Sequence, residues 1–210
     1  MIKNGLKKIY IALVLLMLVS LNIVPAYSAA YFDFYPAKDI NNKTITLTGD
    51  SYAGYFATFE CHKDYNILIY AEAGKSTKEN YEIMKTAVGL YPDTIVISVG
   101  VNDHNKNETP EGFRERLDEI LSLCKRYGKK VILHTYMSYD VQEFADKKHE
   151  YDVKDYDEIL KDLGKKYSNA FYIDMSDYNN KEFWQNDKIH YNIIFYDELY
   201  NRISTALMLF

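Results

Sequence analysis

The segment Thr44–Phe56 reads TITLTGDSYAGYF and joins a strand pattern to a helix pattern. Its first five residues are β-branched or apolar, which is typical of a short strand buried in a sheet. Gly49-Asp50 then interrupts the strand, and Ser51 opens a helix that we expect over residues 52–61. A serine delivered by such a turn lies at a helix N-terminus, where free backbone N–H groups face a developing oxyanion. Because Gly, Asp and Ser are also common turn residues, this stretch taken alone favours an ordinary turn.

The beginning of the chain has the pattern of an export signal. Three lysines precede an apolar run over residues 9–24, and a proline and several small residues follow it. This pattern predicts a signal peptide over residues 1–28, with cleavage after Ser28 or Ala30. No cysteine follows the run, which disfavours a lipoprotein, whereas an uncleaved anchor stays the alternative. In both cases we expect the rest of the protein to be secreted or held at the extracytoplasmic cell surface.

Residues 29–210 have the length of a single domain with a sizeable core. Loss of the three lysines of the signal segment takes the formal net charge from −5 to −8. An acidic domain without a basic cluster is not expected to bind nucleic acid. There is no CxxC and no His/Cys cluster, so we predict neither a metal site nor a cofactor.

Strand and helix patterns alternate five times after the signal segment, and residues 31–43 read as an aromatic-rich lead-in. The expected strands cover residues 44–48, 65–70, 94–99, 131–136 and 170–175. The expected helices cover residues 52–61, a segment from Ser76 to before Pro92, a segment from Pro110 to Gly128, 151–167 and 191–209. This alternation predicts a flavodoxin-like three-layer sandwich, in which a five-stranded parallel sheet of order 2-1-3-4-5 has helices on both faces.

The fold would gather several polar or small residues at one edge of the sheet. Ser51, Gly74 and Asn102 follow the first, second and third strands, and Asp187 and His190 lie in the last loop. In such sheets the working site lies beyond the carboxyl ends of the strands. We therefore expect these five residues to meet at that edge.

The same fold bears on the two cysteines. It places the helices of Cys61 and Cys124 on opposite faces of the sheet, so we predict that these cysteines do not form a disulfide.

The Gly-Asp-Ser turn, the glycine, the Gly-Val-Asn-Asp segment and the Asp-x-x-His pair occur together in this order. In this respect the chain resembles the SGNH/GDSL hydrolase family, whose name lists Ser, Gly, Asn and His, over nearly all of residues 29–210. Tyr52 stands where the older consensus has Leu. The resemblance implies an oxyanion hole made by the backbone N–H groups of Ser51 and Gly74 and the side-chain amide of Asn102.

The chemistry of the residues agrees with this resemblance. Ser51 is a weak nucleophile until a base removes its proton, and His190 is the expected base because its ordinary pKa lies near neutrality. Asp187 would fix the tautomer of His190 and stabilise its imidazolium form. Singly, Asn102 could cap its loop, Gly74 could serve a turn, and the Asp-His pair could cap a helix. The combination in order at strand ends favours serine acyl-transfer chemistry.

Three further residues are candidates for lining the substrate: Trp184, Tyr52 and His104. Trp184 is suited to stacking on a sugar or to anchoring the core, and His104 reads rather as loop surface. His134, at the end of a strand, is interpreted as a structural histidine. Asp50 is expected to support the serine turn, and Asp103 to order the Asn102 loop.

Export and the family resemblance together imply a substrate class. Small secreted proteins of this type resemble enzymes that act on O-acetyl groups of extracellular or cell-envelope polysaccharides, as esterases or as O-acetyltransferases. A transferase of this kind would work beside a membrane O-acyltransferase that supplies the acyl group. Two alternatives stay open. One is a carboxylesterase or lipase for small or lipid esters, and the other is a catalytically silent glycan-binding module.

Overall fold

The structure, a computed structural model, describes residues 30–39, 43–58, 64–90, 93–135, 149–186 and 190–209. Its strands are β1 (Ala30–Tyr35), β2 (Thr44–Gly49), β3 (Asn66–Glu72), β4 (Thr94–Ser98), β5 (Lys130–His134) and β6 (Ala170–Ile173). Its helices are α1 (Ser51–Thr58), α2 (Tyr81–Gly89), α3 (Val101–Asn105), α4 (Pro110–Arg126), α5 (Val153–Lys166) and α6 (Ile193–Leu209). Two short 3₁₀ turns, Ser176–Tyr178 and Lys181–Phe183, lie between β6 and α6.

The strands form one mixed sheet of order β1-β3-β2-β4-β5-β6. The prediction of a five-stranded, wholly parallel sheet is therefore wrong, because β1 adds an antiparallel strand as the outermost strand, next to β3. The five remaining strands are parallel and follow one another in the predicted succession. β1 comes from the aromatic lead-in, whose role as a strand depends on pairing with residues about 40 positions later.

The helices cover both faces of the sheet, as predicted. In β4, Ile95 and Ile97 belong to one buried cluster and Val96 to the other, which reflects the two-residue period of a strand. The cluster that contains Val96 joins the sheet to α1 and α6, and the cluster that contains Ile95 and Ile97 joins it to α2, α4 and α5. Strands buried on both faces read as continuous apolar runs, and this explains why β4 and β5 are easy to identify from the sequence.

The ends of the helices follow local signals in most cases. Thr109 caps α4 by accepting a hydrogen bond from Gly112 N, with Pro110 at the first helical position. Asp152 and Asp155 form a capping box at the start of α5. The expected helix start at Ser76 is wrong, because residues 73–80 form an irregular connection with turns and α2 begins at Tyr81.

Several predictions concern residues that the structure does not describe. The signal peptide of residues 1–28 and the side chain of Cys61 lie outside the described residues. Cys124 is buried on α4, and burial raises the pKa of its thiol to about 12. In the described part of the chain, no helix is long and apolar enough to cross a membrane.

Candidate active site

The turn between β2 and α1 places Ser51 at the first position of a helix. Gly49 has φ +125°, and a Cβ atom there would lie 1.9 Å from the carbonyl oxygen of Ser98. Only glycine allows this close approach of β2 to the end of β4. Asp50 N donates to Ser98 O at 3.1 Å, and Asp50 Oδ1 accepts from Tyr52 N at 3.0 Å. Asp50 thus supports the serine turn, as expected.

Ser51 and His190 are 139 residues apart in the chain and in contact in the structure. Ser51 Oγ lies 2.9 Å from His190 Nε2, which is hydrogen-bonding distance. The backbone of His190 is held by Gln185, whose N donates to His190 O at 2.7 Å, and by an antiparallel bridge between Trp184 and Tyr191. This arrangement can transfer the serine proton to the imidazole.

Two aromatic rings of α1 surround the His190 ring. The centroid of the Tyr55 ring lies 4.3 Å from that of His190, and the Tyr52 centroid lies 5.4 Å away. Tyr52 is only 1% exposed, so the structure corrects its assignment as a substrate-lining residue: it packs in the core beneath His190. Sequence reasoning missed Tyr55, although its position four residues after Ser51 puts it on the same face of the helix.

Asn102 reaches the serine turn from α3. Gly100, with φ +123°, lets the chain turn from β4 into this helix. Asn102 Nδ2 donates to Asp50 Oδ2 at 3.0 Å, and Asp50 is fully buried. The amide carries two N–H groups, and this bond uses one of them while fixing the orientation of the other.

Gly74 lies at the same edge of the sheet as Ser51. In the register of β2 and β3, Gly49 pairs with Ala71, and Gly74 follows three residues later with φ +70°. Its carbonyl oxygen accepts a hydrogen bond from Lys106 Nζ at 2.8 Å. The position fits a backbone donor to an oxyanion, and this role of Gly74 stays a prediction.

Asn80 is a further residue at this edge that sequence reasoning missed. Its buried side chain donates from Nδ2 to the carbonyl oxygens of Gly49, at 2.7 Å, and Glu72, at 3.2 Å. It therefore ties together the ends of β2 and β3, from which Ser51 and Gly74 follow. An Asn just before a helix reads as a cap, so the sequence held no signal for this contact.

Asp187, the predicted partner of His190, lies outside the described residues, so the complete Ser-His-Asp set stays a prediction. Trp184 is half-buried and packs against the cluster of α1 and α6, which agrees with the core-anchor interpretation. Among the residues that the structure describes, no group of three or more His, Cys, Asp or Glu side chains is placed to hold a metal ion.

The two other histidines considered from the sequence are buried. His104 is 1% exposed, and its ring stacks on that of His149 with 4.2 Å between centroids. The interpretation as loop surface is therefore wrong, and the ring does not face an open substrate site. His134 is a structural histidine as expected, because it is 1% exposed and its Nε2 lies 2.9 Å from Ser98 Oγ.

Comparison with known proteins agrees with this geometry. The model of the GDSL-like lipase/acylhydrolase family matches residues 39–197. No curated protein matches the chain.

Solved structures of similar fold include three informative cases. A GDSL-like lipase from Bacteroides thetaiotaomicron VPI-5482 is 15% identical, with a TM-score of 0.65 over 79% of this chain and 88% of that chain. The acetyl xylan esterase AlAXEase is 18% identical, with a TM-score of 0.63 over 78% and 98%. The C-terminal catalytic domain of Streptococcus pneumoniae peptidoglycan O-acetyltransferase A is 22% identical, with a TM-score of 0.60 over 80% and 94%. At these identities the likeness shows a shared fold.

Proposed function

The chain belongs to the GDSL-like lipase/acylhydrolase family, and we propose that it is an extracytoplasmic serine enzyme acting on acyl groups of an extracellular or cell-envelope polysaccharide. The acyl group proposed is acetyl, moved to or from sugar hydroxyls. The observation that carries the proposal is the 2.9 Å contact between Ser51 Oγ and His190 Nε2 at the N-terminus of α1. A serine paired with a base in this way is a nucleophile, and a silent binding module would not require the pairing.

The proposed reaction has two steps that use the same residues. In the first, Ser51 Oγ attacks the ester carbonyl carbon while His190 Nε2 takes its proton. The tetrahedral intermediate then collapses, the leaving alcohol receives that proton, and an acyl-Ser51 ester remains. In the second step water or a sugar hydroxyl attacks this ester and loses its proton to His190. The bond between the acyl carbon and Ser51 Oγ then breaks, His190 returns the proton to Ser51 Oγ, and the free acid or the acylated sugar is released.

Charge on the carbonyl oxygen develops next to the N-terminus of α1. The proposed donors are the backbone N–H groups of Ser51 and Gly74 and the side-chain amide of Asn102. Losing one such donor typically lowers the rate about 10²–10³-fold. Asp187 is proposed to accept from His190 Nδ1 and to stabilise the imidazolium form during both steps.

The choice of acetylated polysaccharide rests on the export pattern of residues 1–28 and on the fold. One protein of similar fold is an acetyl xylan esterase and another is a peptidoglycan O-acetyltransferase. The names of these two proteins pair acetyl chemistry with a polysaccharide, in one case hydrolysis and in the other transfer. The acceptor of the acyl group decides between the two directions, and transfer would require a donor such as a membrane O-acyltransferase.

A carboxylesterase for longer acyl chains is the second candidate. Ile193 and Ile194, which are 46% and 53% exposed, begin α6 three and four residues after His190. The exposure of these two isoleucines, so close to His190 in the chain, is the observation that favours an apolar acyl chain. An acyl-length series separates this candidate from acetyl chemistry.

The test incubates the protein from Ala29 onward with 4-nitrophenyl esters of two to ten carbons, with and without oligosaccharide acceptors. Mass spectrometry follows free acid and acylated sugar. We expect turnover to be greatest with acetyl and to fall at least about 10³-fold in Ser51→Ala, since removal of the nucleophile leaves only residual catalysis. Ser122→Ala, which removes an exposed hydroxyl on α4, is the matched control and should retain full activity.

The products decide the direction and the class. Acetate alone identifies an esterase, and acetylated sugar formed at the expense of acetate identifies a transferase. Preference for octanoyl or decanoyl esters would replace the acetyl proposal with the second candidate. Turnover that is equal in wild type and Ser51→Ala for every donor would refute the serine mechanism.

A further inference from the structure

The predicted oxyanion donors Gly74 and Asn102 lie on two separate segments that must keep a fixed relative position. Gly74 belongs to residues 73–80, the connection between β3 and α2, and Asn102 belongs to the short helix α3. No strand pairing connects the two segments in the described sheet. β3 and β4 both pair with β2, which sets the positions of the strand ends, and beyond these ends side-chain contacts join the two segments.

A buried carboxylate supplies this contact. Thr77 N lies 3.0 Å from both Asp103 Oδ1 and Asp103 Oδ2, and Thr77 Oγ1 donates to Oδ1 at 2.5 Å. Thr77 is fully buried and Asp103 is 1% exposed. Asp103 immediately follows Asn102, and Thr77 lies three residues after Gly74, so the contact joins the two donor segments directly.

Arg116 of α4 contacts Thr77 and also lies close to Asp103. Its Nε donates to Thr77 Oγ1 at 2.9 Å, which orients that hydroxyl to donate to Asp103. Its Nη2 also lies 3.6 Å from Asp103 Oδ1. Arg116 thus fixes the Thr77 hydroxyl by a hydrogen bond and places a positive charge near Asp103.

A second, more exposed contact joins the same two segments. Lys106, which follows α3, donates to Gly74 O at 2.8 Å and pairs with Glu79. Its side chain is 38% exposed, and exposed ion pairs are weak because water and salt screen them. The Asp103–Thr77 contact is therefore the stronger of the two.

We propose that Asp103 is a positioning residue, which acts through Thr77 to hold the Gly74 donor at its working distance from the Asn102 amide. The inference rests on the proposed function, because it concerns the oxyanion site of that reaction. Breaking a buried charged contact is costly, yet replacing such a contact with apolar groups is often neutral for stability. The proposed role of the Asp103–Thr77 contact is therefore to position the Gly74 donor, since a displacement of about 1 Å in an active site can lower a rate about 10²-fold.

The test compares two substitutions of Thr77 and one of Asp103. Thr77→Val keeps the shape of the side chain and removes the hydroxyl, Thr77→Ser keeps the hydroxyl, and Asp103→Asn removes the charge and one acceptor. We expect kcat for acetyl ester to fall about 10- to 100-fold in Thr77→Val and Asp103→Asn with KM within about two-fold, and Thr77→Ser to retain most of the activity. Thr86→Val, which removes a hydroxyl bonded to Glu82 O on α2, is the matched control and should be unchanged.

Amide hydrogen exchange of residues 73–80 gives a readout that does not need catalysis. Exchange should be faster in Thr77→Val and Asp103→Asn than in wild type, Thr77→Ser or Thr86→Val, at temperatures where all variants are folded. Unchanged exchange together with unchanged kcat would overturn the positioning role, as would a loss of kcat that only follows a loss of folded protein. Absence of Ser51-dependent turnover in the wild type would instead refute the proposed function, and the exchange data would still decide whether Asp103 fixes the segment.

Discussion

At the scale of single residues, His134 and Asp103 are buried titratable side chains near the candidate site. Acidification is expected to change the free energy of unfolding in opposite directions through these two residues. Burial lowers the pKa of His134 from 6.5 to about 4, because the charged imidazolium is poorly solvated there. Burial raises the pKa of Asp103 from 3.8 to about 6, against the lowering effect of its bonds from Thr77 and of Arg116. Burial thus shifts both groups toward the neutral form, and Asp103, with a pKa of about 6, is still mostly ionised at pH 7.

The pH dependence of stability should therefore separate these two residues. The contribution of His134 is present above pH 6.5 and is lost as the pH falls toward 4, whereas that of Asp103 is present below pH 3.8 and is lost as the pH rises through 6. From pH 7 to pH 5 the free energy of unfolding should fall by about 2 kcal/mol through His134 and rise by about 1 kcal/mol through Asp103.

Urea unfolding of wild type, His134→Gln and Asp103→Asn at pH 7 and pH 5 measures both effects. Relative to wild type, acidification should stabilise His134→Gln and destabilise Asp103→Asn. The same change between the two pH values in all three proteins would contradict this assignment.

The residues that were best predicted from the sequence are those that lie in motifs at the carboxyl ends of the strands or in the last loop. Ser51 and His190 were paired from their motifs alone, and the structure brings them to 2.9 Å. Thr77 and His104 could not be assigned, because their burial results from contacts with Asp103 and His149 that depend on how distant segments pack. A local pattern predicts which chemistry a residue can perform but not which neighbours enclose it.

At the scale of single elements, the turn from β2 into α1 depends on one backbone conformation. Gly49→Ala would place a Cβ atom 1.9 Å from Ser98 O at φ +125°, so β2 and β4 would have to separate where Ser51 begins its helix. We expect Gly49→Ala to lower the unfolding midpoint markedly and to abolish ester turnover in any protein that still folds.

Gly89→Ala is the matched control for this substitution. Gly89 is the last residue of α2, and an added Cβ there meets nothing within 4 Å. Alanine should leave activity unchanged and raise stability by up to about 1 kcal/mol, because it loses less backbone entropy in a helix. Thermal unfolding measures the stability of the two variants, and 4-nitrophenyl acetate turnover measures their activity. A Gly49→Ala protein with normal activity would show that the close approach of Gly49 to Ser98 is not required.

Helix starts that depend on neighbouring residues in the chain were predicted from the sequence. Segments whose conformation depends on contacts with distant residues were not. Thr109-Pro110 starts α4 as expected, because both signals act within one helical turn. Ser76 and Glu79 form the expected contacts, with Ser76 N donating to Glu79 Oε2 at 2.9 Å, yet in a turn and not in a helix. Thr77 N donates to Asp103 instead of pointing along a helix, so a contact across the fold overrides the local signal.

At the scale of the whole molecule, the direction of β1 places the start of the described chain at the active edge. β1 is antiparallel to β3 and pairs Ala30 with Glu72, two residues before Gly74. Only five residues lie between the apolar run over residues 9–24 and the start of β1. Five extended residues span at most about 17 Å. Any membrane that holds this run would therefore lie near the edge that carries Ser51.

This topology predicts how the full chain would sit on a bilayer, and we propose that the active edge faces the membrane surface while residues 1–28 are attached. The test uses the full chain with Cys61→Ser, reconstituted in vesicles that contain nitroxide lipids. A fluorophore is placed at one of two positions. Lys78→Cys lies near the carboxyl ends of the parallel strands, where Ser51 lies, and Asp93→Cys lies just before β4, at the amino ends of these strands.

Quenching should be stronger at Lys78→Cys than at Asp93→Cys, and both labels should be unquenched in protein that begins at Ala29. Equal quenching, or stronger quenching at Asp93→Cys, would contradict the orientation. Stronger quenching at the active edge would place Ser51 where a membrane O-acyltransferase could deliver an acyl group, because the donor and the nucleophile would then face each other across a short gap. This geometry would favour acylation of Ser51 by a membrane-bound donor, since a donor held near Ser51 has a raised effective concentration. The acceptor that then reaches the acyl-Ser51 ester still decides between hydrolysis and transfer.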